Sequence, residues 1–418
     1  MLIRRAILWD GTGAAPRRDM ALRLEGERLS WIGPEARAPR PAEDELQLDA
    51  GGRWLLPGLL DLHVHLTLDP AAPSQPAFAA TMPATTQALL GARHARALLQ
   101  AGFTAARDLG GYSQANVALK RAIDAGWVEG PRLATAACPI TVPGGHFDHV
   151  YAPGAGAPGI AVISGPDEAV RAVRQQVRLG ADWIKLLVTG GVLSAGTPLE
   201  TALWEDEELR AAVRAARRLG RPVAAHCHGA GGVIAAAEAG VSTIEHATMG
   251  DEAAAAAMAQ RGVTLVPTFT AAEAVVREAR AGRLAPDIAS QALAIEPRHA
   301  AAFRAALDAG VRIVCGTDTG VPGTVFGENA RELGHLVAHG LTAEQALLAA
   351  TRDAAAVLGW SDRLGTLEVG KLADLLLVEG DPLADPHCLA EPARLQLVLK
   401  GGAIAADRRP ERTAAGRR

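Results

Sequence analysis

Leu59-Leu60-Asp61-Leu62-His63-Val64-His65-Leu66 follows Pro57-Gly58 and sets two imidazoles two residues apart inside an apolar strand pattern. Side chains alternate across a strand, so Asp61, His63 and His65 share one face while Leu60, Leu62, Val64 and Leu66 take the other. Burying two imidazoles together without a partner is costly. A metal ion is the commonest reason for it, because neutral imidazole is a good ligand for zinc and similar ions. One H-x-H pair is a weak signature, and the remaining ligands have to come from elsewhere in the chain.

Outward from this strand one unit recurs between Pro57 and Gly365: a helical stretch, a glycine, then a short β-branched strand. Gly102, Gly180, Gly220, Gly240, Gly262 and Gly310 each precede such a strand, at 103–108, 182–188, 222–226, 241–246, 263–267 and 311–316. With the opening strand and another at 133–137, the pattern predicts eight strands. Helices are expected between them, at 84–100, 167–179, 205–219 and 251–260 among others. Strands alternating with helices through short loops imply parallel pairing by crossover. Eight units over roughly 300 residues predict an α/β fold of the (β/α)8 TIM barrel type. A doubly wound open sheet is the competing architecture, but no G-x-G-x-x-G follows the first strand.

The flanks differ in style. Short strand-like runs at 3–9, 20–24 and 29–32 are matched near the other end by 373–378, 395–399 and 401–404. Neither flank has enough apolar strand to bury a core alone. Together they predict a small β-sandwich domain built from both termini, 1–56 plus 365–407, around a barrel of 57–364. The basic stretch 408–418 reads as a flexible tail.

The 418 residues carry a net charge of −4, so nothing in the electrostatics calls for nucleic acid or a membrane surface. Cys138, Cys227, Cys315 and Cys388 lie far apart without C-x-x-C spacing and read as reduced thiols. Met1-Leu2-Ile3-Arg4-Arg5 opens no apolar signal segment, and no run of 18 apolar residues occurs. A cytoplasmic protein is the default expectation.

In a parallel barrel the carboxyl ends of the strands converge on one site. Those positions offer His63 and His65 on strand one, Lys185 on strand four, His226 on strand five, His246 on strand six and Asp318 on strand eight. Only 12 histidines exist in the chain, so four of them at strand ends is a poor fit to chance.

With these residues in place the chain resembles the amidohydrolase superfamily, from Trp54-Leu55-Leu56-Pro57-Gly58 to the segment 365–374. The resemblance is to the binuclear type. It implies two divalent ions, with zinc first and cobalt or manganese as alternatives: one on His63, His65 and Asp318, the second on His226 and His246. It also implies that Lys185 is carboxylated by carbon dioxide and bridges both. Mononuclear deaminases of the superfamily typically carry a glutamate three residues after the strand-five histidine, where this chain has Gly229.

The implied chemistry is hydrolysis of an amide-like C–N bond by a hydroxide held between the ions, with Asp318 moving its proton to the departing amine. Arg107-Asp108-Leu109-Gly110-Gly111, Thr189-Gly190-Gly191-Val192-Leu193-Ser194, His226-Cys227-His228-Gly229 and Asn329-Ala330-Arg331-Glu332-Leu333 are similar to prolidase-like Xaa-Pro or Xaa-Arg dipeptidases and ochratoxin-hydrolysing amidases. This branch implies a small-molecule substrate, an N-acyl amino acid, dipeptide or related amide or carbamate, and a homo-oligomer. It points to His146 as a ligand for the substrate's carboxylate.

His228 shares strand parity with His226 and is expected to reach the pocket. Trp204 and Phe326 stand where the branch often carries tyrosine and Pro-His-Gly, so both are expected to make the pocket more aromatic. The segment 67–85 reads as a lid. Two other functions share the scaffold: a cyclic amidohydrolase opening imidazolone, hydantoin or lactone rings, and a non-catalytic protein that has lost its ligands.

Overall fold

The computed structural model describes residues 1–72, 74–148, 159–194 and 196–409. The tail expected over 408–418 therefore lies outside the described residues from 410 onward, and residue 73 of the expected lid lies outside them too. Among the described residues no helix is long and apolar enough to cross a membrane.

The protein is an α/β TIM barrel with a terminal β-sandwich. Barrel strands Leu59–Val64, Phe103–Asp108 and Arg132–Thr135 form one parallel sheet. Ile184–Leu187, Val223–Gly229, Thr243–Met249 and Thr264–Val266 belong to a second, extended by the two-residue strands Ile140–Thr141 and Ala161–Val162. The amides of Asp182 and Trp183 both donate to Thr135 O, at 2.7 and 3.1 Å, which joins the sheets on one side. Nearly every residue of the long strands is buried, as parallel strands covered on both faces must be.

Helices cover the outside for the reason their sequences give. In Pro166–Leu179 the buried positions Ala169, Ala172, Val173 and Gln176 recur at helical spacing. Gly180 at φ 110° and Gly240 at φ 87° then end their helices in the left-handed conformation and turn the chain into the next strand.

The eighth strand departs from the expected regular run over 311–316. Within that run only Ile313 makes a bridge, to Leu265, and the next, from Thr319 to Val64, follows after an irregular stretch. Its backbone bonds go to different neighbours in turn. Leu265 N donates to Arg312 O at 2.9 Å and Leu62 N to Cys315 O at 2.9 Å. Asp318 N then donates to His63 O at 2.7 Å and His65 N to Thr319 O at 2.8 Å. These bonds tie the far edge of the second sheet to the first strand.

The sandwich strands form one eight-stranded sheet drawn from both ends of the chain, seven in line and Gln47–Asp49 pairing off that line with Leu2–Leu8. Trp54–Pro57 pairs with Leu375–Val378, Leu55 opposite Leu377, and this is where the two flanks meet. Ile3, Leu8, Met20, Leu22, Leu55, Leu375, Leu377 and Leu397 fill its core. Trp54–Pro57 leads through Gly58 into the first barrel strand, so the sandwich anchors the segment that carries His63 and His65.

Candidate metal centre and pocket

Strand ends bring His63, His65, Lys185, His226, His246 and Asp318 onto the wall of one cavity. His63, His246 and Asp318 each offer a ligand atom within 4.8 Å of the others. Asp318 Oδ1 faces His65 Nε2 at 3.2 Å and His63 Nε2 at 3.4 Å. The His226 and His246 rings lie 4.7 Å apart, and those of His63 and His246 5.1 Å apart.

Lys185 is 3 % exposed, and its Nζ has no hydrogen-bond partner among the described residues. A buried ammonium without acceptors is a costly arrangement, and burial pulls its pKa down to about 8. Burial likewise pulls His63 down to about 4, and His226 and His246 well below the ordinary imidazole range. For Asp318 burial works against the charge, but His63, His65 and Lys185 outweigh it and hold the carboxyl below its usual range. At His65 burial is outweighed by the adjacent Asp318 carboxylate, which raises its pKa. Three imidazoles kept neutral by burial, a fourth beside an ionised carboxylate, and an amine that neutralises readily form a donor set that fits divalent ions.

A surrounding layer fixes which nitrogen each imidazole presents. His65 Nδ1 donates to Gly110 O at 2.6 Å, and His226 Nε2 donates to Gly190 O at 3.1 Å. Thr268 Oγ1 donates to Pro267 O, so it accepts from His246 Nδ1 at 2.7 Å. His63 Nδ1 donates to Glu245 Oε2 at 2.9 Å. His63, His65 and His246 therefore turn Nε2 toward the centre, and His226 turns Nδ1. The backbone is strained at the same place. His246, Ala247, Thr268 and Asp318 have φ of 75°, 48°, 56° and 55°, and non-glycine residues adopt such angles at a cost of about 1–3 kcal/mol each.

Asp61 shares the strand pattern of His63 and His65 but does not line the cavity. It accepts from His63 N, Thr317 N, Thr317 Oγ1 and Asn329 Nδ2 at 2.7–3.1 Å, and so locks the eighth strand to the first. Glu245 and Arg107 were not anticipated as site residues. A charged residue beside a ligand in an otherwise apolar buried strand is the signal that could have exposed Glu245.

Of the expected substrate-contacting residues, His146 and His228 line the cavity. His146 Nδ1 meets Ser194 Oγ at 2.7 Å and its ring stacks 4.6 Å from His226. His228 Nδ1 meets Thr248 Oγ1 at 2.8 Å. Trp204 and Phe326 are a correction, because neither is on the wall. Trp204 Nε1 donates to Leu187 O at 2.7 Å, which turns the ring into the core behind the Lys185 strand. Phe326 stacks on His94 at 4.3 Å, and His94 is itself held by Leu66 O.

The wall is apolar nonetheless. Leu68, Tyr112 and Ile160 reach it from one packed cluster, and Val192, Ala271, Val275, Ile295 and Val321 from a second. Part of the expected lid contributes here, through Leu68 and Gln75.

A family model described as Amidohydrolase family matches residues 54–405. The chain is 32 % identical over 422 residues to an ochratoxinase of Aspergillus niger, covering 96 % of this chain and 86 % of that protein. Among solved structures, a Xaa-Pro dipeptidase with bound methionine in the active site superposes with a TM-score of 0.88 at 34 % identity. That match covers 96 % of this chain and 98 % of the other. The A. niger ochratoxinase structure gives a TM-score of 0.85 at 31 % identity, covering 96 % of this chain and 94 % of the other.

Proposed function

The chain belongs to the amidohydrolase family, and from that membership we propose a metal-dependent hydrolase acting on the C–N bond of an N-acyl amino acid, dipeptide, or related amide or carbamate. The observation that carries this reading is the buried Lys185 amine, without a hydrogen-bond partner among the described residues, on a wall shared with four imidazoles and one carboxylate. His63, His65 and Asp318 would hold one divalent ion and His226 and His246 the second. Lys185, carboxylated by carbon dioxide, would bridge them. Zinc, cobalt and manganese all suit these donors. Such ions, when bound, acidify water at neutral pH and polarise a carbonyl oxygen. Asp318 takes up a proton at its carboxylate and delivers it to the departing amine. His146, stacked on His226 with ring centroids 4.6 Å apart, and His228, perpendicular to it at 4.7 Å, orient the substrate. In this reading 57–364 does the chemistry, and 1–56 plus 365–407 braces it.

The two apolar clusters support a substrate with a bulky apolar or aromatic group. The relatives' names, ochratoxinase and Xaa-Pro dipeptidase, support the amide class. Elemental analysis should find about two divalent ions per chain. A hydrolysis panel should favour N-acyl aromatic amino acids and aryl carbamates over small polar dipeptides. Absence of metal would sink the reading, and strict preference for small polar dipeptides would remove its apolar part.

A further inference from the structure

Resting on that reading, we propose that Glu245, held by Arg107, makes the His63/His65/Asp318 position the tighter of the two metal positions. Among the described residues, the contacts to the ligand imidazoles are unequal. His65, His226 and His246 give their outer N–H to neutral oxygens, those of Gly110, Gly190 and Thr268. His63 alone gives its own to a carboxylate, Glu245 Oε2 at 2.9 Å, with both side chains buried. A carboxylate in that position pulls on the Nδ1 proton and raises the basicity of Nε2, the atom turned to the metal.

Arg107 makes the arrangement tenable. Its guanidinium is fully buried and donates through Nη2 to Glu245 Oε1 at 2.9 Å. Nε donates to Leu62 O at 2.6 Å, immediately before His63, and Nη1 to Thr243 Oγ1 at 3.0 Å. The guanidinium also lies over the Trp183 ring at 4.3 Å. It therefore ties the Glu245 strand to the His63 strand and supplies the countercharge a buried carboxylate needs. Arg107 engages Oε1 and leaves Oε2 to His63. Glu245 and Arg107 touch no substrate; they are positioning residues.

Two measurements test this. Wild-type holoprotein depleted with a chelator to one ion per chain should show that ion at His63, His65 and Asp318 by anomalous diffraction. An ion found at His226 and His246 overturns the proposal. In Glu245→Gln, affinity for the tighter zinc ion should fall about 10–100-fold while the weaker one is unchanged. That variant leaves Arg107 unpaired, so the double variant Arg107→Met/Glu245→Gln separates positioning from folding. It should recover metal-free thermal stability without recovering zinc affinity. Recovery of both together, or unchanged affinity in the single variant, overturns the proposal. A wild-type protein that takes up no zinc overturns the metal-dependent reading itself, and this inference with it.

Discussion

Replacing Lys185 with Met should make the metal-free protein more stable. Burial lowers the pKa of Lys185 from 10.5 to about 8, so the folded chain binds its proton less tightly than the unfolded chain does. Above 10.5 the amine is neutral in both states and costs nothing. The penalty accrues as pH falls from 10.5 through 8 and is complete below that. The gap corresponds to about 3 kcal/mol at pH 7. Met keeps an unbranched side chain of similar volume and removes the charge, so packing is largely preserved. Urea unfolding of chelator-treated protein in buffer free of carbon dioxide should place Lys185→Met about 3 kcal/mol above wild type at pH 7. The difference should shrink toward zero at pH 10. Zinc and bicarbonate should reverse the order, because a ligand at a thousand times its Kd adds about 4 kcal/mol to the protein that binds it. A metal-free variant equal to or less stable than wild type at pH 7 would refute the reasoning.

Asp318→Asn should retain most of its metal and lose about 100- to 10,000-fold in kcat, read by elemental analysis beside steady-state kinetics. Near wild-type turnover would remove Asp318 from its proton-transfer role. Glu332→Ala strips the buried acceptor of Phe269 N, Thr270 N and Thr270 Oγ1, at 3.0, 2.8 and 2.6 Å. It should cost about 3 kcal/mol in urea unfolding and raise KM, because the helix Phe269–Arg280 carries wall residues Ala271 and Val275. Gly191→Ala puts a methyl group 2.1 Å from His146 Cε1 and must displace that ring. KM should rise about tenfold with metal content unchanged, and an unaltered KM would dissociate His146 from substrate binding.

The ligand positions were legible because they rest on short-range rules. Strand alternation presents His63 and His65 together, and parallel crossovers bring the strand ends that carry Lys185, His226, His246 and Asp318 to one place. The flanking sandwich was legible for a similar reason, since strand runs too few to bury a core must find each other. The eighth strand was not, because its irregularity comes from bonding Leu265 on one side and Leu62 and His63 on the other. Trp204 and Phe326 were aimed into the pocket by side-chain type. Their directions depend on Leu187 O and His94, which spacing along the chain does not reveal.

Local periodicity was therefore enough to specify the barrel and to bring the candidate ligands to one cavity, while the class of chemistry came from the resemblance to the amidohydrolase superfamily. Three things depended on contacts between distant segments: the outer partners that orient each imidazole, the two apolar clusters that shape the pocket, and the Arg107–Glu245–His63 chain. Arg107 and Glu245 lie 138 residues apart, and their ion pair exists only because the barrel brings two strands together where both side chains are fully buried.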